Sequence, residues 1–277
     1  GRGMGKLSVG PPYFNAVFVP LITPALFLMG VGPLMRWKGD SVPDVLKRLK
    51  WALGVAMATG LLLPLTLEGY KPWAVLGLGL SSWIALTVVI AFRERAKTVG
   101  QLSNLPRAFW GMHMAHLGLA IGVAGITMVS NYQQEVDVRM NVGDQAQIAG
   151  HTLTFMGTES YSGPNYEGTR GTVIVSKDGT EQFRLYPAKR VYNRSGSVMT
   201  EAAVRPSLSS DIYVSLGEPL NTELTTWAVR LYYKPFINWL WIGALFMVVG
   251  GFLAASDRRY RIGAKARVPA GPAAQGA

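Results

Sequence analysis

The sequence predicts an integral membrane protein: a bundle of five transmembrane helices with one antiparallel, β-rich domain, a small sandwich or open barrel, inserted between the fourth and fifth. Three observations predict it. Charged residues are only 16% of the chain and hydrophobic residues 49%, against about 25% charged in a soluble domain, and the shortfall is concentrated in runs almost free of charge. Basic residues crowd alternate short loops between those runs, as membrane topology requires. Between the fourth and fifth runs, apolar and polar side chains alternate with the two-residue period of half-buried strands.

The first span covers about Tyr13 to Met35, with Pro20, Pro24 and Pro33 as expected kink points. Proline is tolerated in membrane helices where neighbours satisfy the freed carbonyls. The second covers about Leu49 to Leu67, the third Trp73 to Phe92, the fourth Trp110 to Val129 and the fifth Phe236 to Ala255. Each is close to the roughly 20 residues that cross the hydrocarbon. Trp37, Trp51, Trp73, Trp110, Trp239 and Trp241 fall near span ends, where an aromatic belt sits. The resulting division is 1–130 for the first four spans, 131–234 for the β-rich domain, 235–261 for the fifth span and 262–277 for a disordered tail rich in Ala, Gly and Pro.

Orientation follows from the loops. The first holds Arg36, Lys38, Lys47, Arg48 and Lys50, and the third Arg93, Arg95, Lys97 and Arg107, whereas the second offers only Lys71. Arg258, Arg259, Arg261, Lys265 and Arg267 follow the fifth span. The positive-inside rule then places loops one and three and the C-terminus in the cytoplasm. The β-rich domain faces outward, which in a Gram-negative inner membrane is the periplasm. The same rule accounts for 27 basic against 16 acidic residues without nucleic-acid binding. The opening residues carry too little apolar length for a signal peptide and read as the interior of a longer protein or one piece of a split one.

In the external segment, Val136, Val138, Met140 and Val142 alternate with polar residues. Thr172–Ser176 and Gln182–Tyr186 flank Lys177-Asp178-Gly179-Thr180, and Asp-Gly between alternating runs is a hairpin signal. Asp211–Leu216 and Trp227–Tyr232 read as further strands, giving about seven in all.

There are no cysteines, which excludes disulfides, thiolate metal sites and covalent haem attachment to this chain. No nucleotide cradle, catalytic triad arrangement or zinc spacing is present, so catalysis by the chain's own side chains is not indicated. Of three histidines, two open the fourth span, in Trp110-Gly-Met-His113-Met-Ala-His116-Leu-Gly. An ionisable residue inside a membrane helix is costly and therefore a functional candidate. His116 is an axial haem ligand or a proton-relay group, or else an interhelical hydrogen-bonding histidine. His113 lies nearer the cytoplasmic interface, within reach of water, and the interhelical reading is favoured there. Gly111, Ala115, Gly118, Gly122 and Gly125 admit a neighbouring helix or a flat macrocycle. The two histidines share one helix about a turn apart and cannot clasp one iron. A bis-histidine site would take its second ligand from elsewhere, and a methionine ligand stays open. His151 is expected in an exposed turn, Glu68 in an exposed loop, and Asp257-Arg258-Arg259-Tyr260-Arg261 as a topological anchor.

Three stretches carry a resemblance: Gly5-Lys-Leu-Ser-Val-Gly-Pro-Pro-Tyr-Phe-Asn15; Leu105-Pro-Arg through Met112 with Ala115-His116-Leu-Gly118; and Val229-Arg-Leu-Tyr-Tyr-Lys-Pro-Phe236 continuing into Asp257-Arg-Arg-Tyr-Arg261. In these the chain resembles the C-terminal part of the cytochrome c maturation protein F (CcmF/NrfE) family of haem lyase components. The resemblance implies a b-type haem held in the membrane by two transmembrane histidines, with His116 where the C-terminal one belongs. It also implies a tryptophan-rich external segment, which this chain lacks, so an N-terminal half or a partner chain would complete the site. A periplasmic haem chaperone, apocytochrome c and other cytochrome c maturation proteins are the implied partners, together with the lipid bilayer. The rival expectation is a non-catalytic, membrane-anchored interaction module that binds no haem, and a transporter subunit is a weaker third.

Overall fold

A computed structural model describes residues 11–35 and 41–257. Trp37, Arg36 and Lys38, the first residues of the Gly5–Asn15 stretch, Arg258–Arg261 and the expected disordered tail lie outside the described residues. The chain divides into two compact units, residues 1–124 with 241–277 and residues 125–240.

Among the described residues, five helices are long and apolar enough to cross a membrane: α1 (Pro11–Val31), α2 (Val42–Leu62), α3 (Pro72–Val99), α4 (Arg107–Tyr132) and α5 (Asn238–Ala255). The protein is a multi-pass membrane protein. Several helices outrun the expected spans, because a helix need not stop where the hydrocarbon does. α2 begins at Val42, where the Ser41 side chain accepts the Asp44 amide at 3.4 Å, so Lys47, Arg48 and Lys50 ride on its opening turns. α3 continues past Phe92 and carries Arg93, Arg95 and Lys97 to its end at Val99.

In the helical unit, Leu26, Leu34, Leu49, Ala52, Ala56, Trp83, Ile84 and Ala120 belong to one buried cluster. Trp83 of α3 stacks on Phe27 of α1 with centroids 5.2 Å apart and its indole N–H donates to the Phe27 carbonyl at 2.9 Å. Ser81 donates to the Ala120 carbonyl at 2.8 Å, joining α3 to α4. Arg48 donates to the Leu34 carbonyl at 3.1 Å and pairs with Glu94 at 3.6 Å, so one cation links three segments at the basic ends of the helices.

The second unit contains ten strands: β1 (Gln134–Asn141), β2 (Gln145–Ile148), β3 (His151–Ser162), β4 (Tyr166–Lys177), β5 (Thr180–Leu185), β6 (Ala188–Tyr192), β7 (Val198–Glu201), β8 (Ala203–Arg205), β9 (Ser210–Pro219) and β10 (Thr226–Pro235). They form a four-stranded sheet in the order β1-β10-β9-β8 and a six-stranded sheet in the order β2-β3-β4-β6-β7, with β5 also paired to β4. Every pairing is antiparallel. Met140, Val214, Leu216, Trp227, Val229 and Leu231 of one sheet and Leu153, Phe155, Val173 and Val175 of the other form a single core. This is the β-sandwich that alternation predicts. The Asp178-Gly179 turn has both φ values positive, 51° and 77°, as a two-residue hairpin turn requires. The count exceeds the expected seven because β2, β7 and β8 are only three or four residues long. The outer half of β3, Thr158–Ser162, is too polar to alternate.

Candidate functional site

The two span histidines, His113 and His116, occupy the second and third turns of α4 with matching local geometry. His113 Nδ1 lies 2.8 Å from the Phe109 carbonyl and His116 Nδ1 lies 2.9 Å from the Met112 carbonyl. A carbonyl oxygen only accepts, so in both rings Nδ1 is the protonated nitrogen, and in the neutral ring Nε2 is left as the lone-pair nitrogen. A hydrogen bond from the ring's other nitrogen is what fixes the tautomer and orientation of a metal-binding imidazole. His116 sits about 14 Å along the axis from the first residue of α4.

Burial distinguishes the two in the opposite sense to the expectation. His113 was expected to reach interfacial water, but it is 6% exposed. Its ring lies 3.9 Å from that of Phe109 and 6.1 Å from that of Phe92 on α3, and its buried Nε2 has no hydrogen-bond partner among the described residues. The aromatic pair seals it, which hydropathy along one helix does not reveal. His116 is half-buried. His151 is no exposed turn residue: it is half-buried as the first residue of β3, after the left-handed Ala149-Gly150 turn, with Nδ1 3.0 Å from the Ala149 carbonyl.

The small residues of α4 are occupied by a helix. A methyl on Gly118 would lie 2.6 Å from the Gly243 carbonyl oxygen of α5, and one on Gly250 would lie 2.6 Å from the Gly111 carbonyl. Gly125 faces Leu240 and Trp239. Repeats of seven along each helix let the two backbones touch, the device that substitutes for hydrophobic driving force in lipid. Gly122 is the exception, with open space where its side chain would be.

Asp257 was expected to be part of a surface anchor. Its carboxylate is instead 5% exposed and accepts the Ala108 amide at 2.9 Å, satisfying one of the N–H groups that a helix start leaves unpaired. α4 is thus held at its first turn by the second residue past the end of α5. Among the described residues no group of three or more His, Cys, Asp or Glu forms a metal cluster.

The sandwich presents a second feature. Arg190 donates to the Tyr161 hydroxyl at 2.9 Å and stands 4.7 Å over the Tyr166 ring. Arg170 lies over Tyr161 and pairs with Glu159, and Tyr166 meets Tyr192 edge-on at 5.8 Å. The register Tyr161↔Gly168↔Arg190 and Tyr166↔Tyr192 puts these groups on one face of β3, β4 and β6. The hydroxyl of Tyr161, then the partial burial and the Tyr192 hydroxyl, act on Arg190, and the net effect raises it further above the ordinary guanidinium range. It is a permanent cation.

Comparison with known proteins fits this architecture. Residues 131–235 match the family described as the CcmF C-terminal beta-sandwich. The chain is 42% identical to the cytochrome c-type biogenesis protein CcmF of Pseudomonas aeruginosa over 284 residues, covering 98% of this chain and 42% of that protein. It is 42% identical to CcmF of Escherichia coli K12 over 260 residues, covering 94% and 39%. A solved structure, "Cytochrome c Heme Lyase CcmF", shares the fold with a TM-score of 0.73 at 23% identity, over 89% of this chain and 41% of the other. The chain thus spans about two fifths of the length of these relatives. Five apolar helices, a ten-stranded sandwich entered from α4 and left through α5, and this similarity together make the chain a member of the CcmF family of cytochrome c-type biogenesis proteins, matching its C-terminal region.

Proposed function

We propose that this chain is a membrane component of a cytochrome c haem lyase and that His116 supplies one axial ligand to a b-type haem within the bilayer. The observation that carries the reading is the Met112 carbonyl at 2.9 Å from His116 Nδ1, which commits Nε2 to the lone-pair form that binds iron. The half-buried ring leaves that nitrogen an approach, whereas the Phe92 and Phe109 rings crowd His113. The chain's own residues therefore fit the ligand role at His116. When bound, the haem would pass an electron to the iron of the haem being attached. In a bis-histidine site the second ligand comes from the N-terminal half of the protein or from a separate chain, because the remaining span histidine is on the same helix.

In this reading the protein lies in a bacterial inner membrane with the sandwich in the periplasm and the C-terminus in the cytoplasm, supported by Lys47, Arg48, Lys50, Arg93, Arg95 and Lys97 near the ends of α2 and α3 on one side. The sandwich meets a haem chaperone, apocytochrome c or another maturation protein through the Tyr161, Tyr166, Tyr192, Arg170 and Arg190 face, since Tyr and Arg dominate protein contact surfaces.

The test is the spectrum of the assembled complex carrying His116→Gly. The b-type absorbance is expected to vanish with membrane insertion intact, and added imidazole is expected to restore it. Full haem retention without imidazole would sink the assignment.

A further inference from the structure

The turn between β8 and β9, residues 206–209, is bound to the first turn of α5 by an unusual density of hydrogen bonds. The Trp239 indole N–H donates to the Leu208 carbonyl at 3.1 Å, and Asn238 Nδ2 donates to the Ser207 carbonyl at 2.8 Å. The Phe236 amide donates to the Ser209 carbonyl at 2.9 Å. Asp211, 4% exposed, accepts the Ser207 amide at 3.0 Å and Asn238 Nδ2 at 2.8 Å. Phe236, at the exit from β10, holds a left-handed φ of 54° and packs edge-on against Trp239 at 5.0 Å. A bulky residue in that conformation persists only where its surroundings over-determine it.

This fastening leaves one side chain out. Leu208 is 71% exposed although its backbone is fixed beside Trp239. A single exposed leucine is ordinary on a soluble surface. This one is tied to the opening residues of a helix that crosses the membrane, and tryptophan at a span end sits at headgroup level. The indole of Trp239 gives its one donor to the turn rather than to lipid or water.

We propose that the 206–209 turn is a bilayer-interface anchor of the sandwich, with Leu208 inserted among the lipid acyl chains next to Trp239. Asp211 is its positioning residue, holding the turn against Asn238. The anchor adds a second membrane contact to the covalent junctions at α4 and α5, and it rests on the membrane crossing of α5 rather than on haem binding.

The chain has no cysteine, so a single one reports its own position. Leu208→Cys, Leu220→Cys and Trp241→Cys are each labelled with an environment-sensitive nitrobenzoxadiazole probe in the assembled complex, reconstituted in phosphatidylcholine nanodiscs. Leu220 is the control: it is also exposed, at 51%, but lies beyond the far end of the ten-residue strand β9, about 30 Å away. Lipids with a doxyl group on the acyl chain are expected to quench position 208 as strongly as 241 and several-fold more than 220. Asp211→Ala is expected to reduce quenching at 208 alone. Position 208 quenched no more than 220 overturns the proposal, whether the probe then proves open to aqueous iodide or shielded from it by a protein partner.

Discussion

The carboxylate of Asp257 accepts the backbone N–H of Ala108 at 2.9 Å, closing the start of α4 with a residue 149 positions further along the chain. The bond belongs to a buried group, so removing it leaves a helix-terminal N–H unsatisfied. Asp257→Ala is expected to destabilise the helical unit by about 1–2 kcal/mol, the usual cost of a lost cap, while Asp257→Asn recovers most of it. Thermal unfolding of the two variants in the same detergent, followed by circular dichroism, checks the order.

The glycine contact between α4 and α5 predicts opposite outcomes for two neighbouring positions. Gly118→Leu would place side-chain atoms where the Gly243 carbonyl and the Phe246 side chain already are. The loss is expected to reach about 1–3 kcal/mol, as for overpacked cores. Gly122→Ala meets open space and is expected to leave stability unchanged or slightly raised. Denaturation midpoints of both, measured together, decide it.

His113 is expected to be replaceable. Its Nε2 is buried without a partner among the described residues, and an unsatisfied buried polar group costs about 1–3 kcal/mol. Phenylalanine keeps the ring between Phe92 and Phe109 and removes the nitrogen. His113→Phe is expected to unfold at an equal or higher temperature and to keep the b-type absorbance that His116→Gly loses. A loss of absorbance would transfer the ligand role to His113.

In the sandwich, Gly179 at φ 77° ends the hairpin turn between β4 and β5. Gly179→Ala forces a Cβ into the left-handed region, at about 1–2 kcal/mol, whereas Asp178→Gly relieves its neighbour at φ 51°. The expected order of melting temperatures in the full chain is therefore Asp178→Gly at or above the parent protein, and Gly179→Ala below it.

Local signals carried much of this protein. Runs of some twenty apolar residues have one stable solution in lipid, the helix, because no water is present to satisfy a bare backbone. Asp178-Gly179 dictated a tight hairpin because its neighbours alternate and glycine tolerates positive φ. The i−4 carbonyl that orients His116 was equally inherent, since any helix brings Met112 within reach of it. Short strands such as β7 and β8 were not legible, because three or four residues are too few for a period to show.

What only the tertiary structure decided are relations between distant residues. It buried His113 beneath Phe92 rather than at the interface, and it filled the glycine stripe of α4 with α5 rather than leaving it for a macrocycle. It also turned Asp257 and Asp211 from polar residues near a span into buried acceptors for Ala108 and for Ser207 with Asn238. Hydropathy and periodicity are sums over neighbours in the chain. Burial and pairing depend on which elements meet, and that is set by packing between segments as near as α3 and α4 for Phe92 and His113 and as far as 149 residues for Ala108 and Asp257.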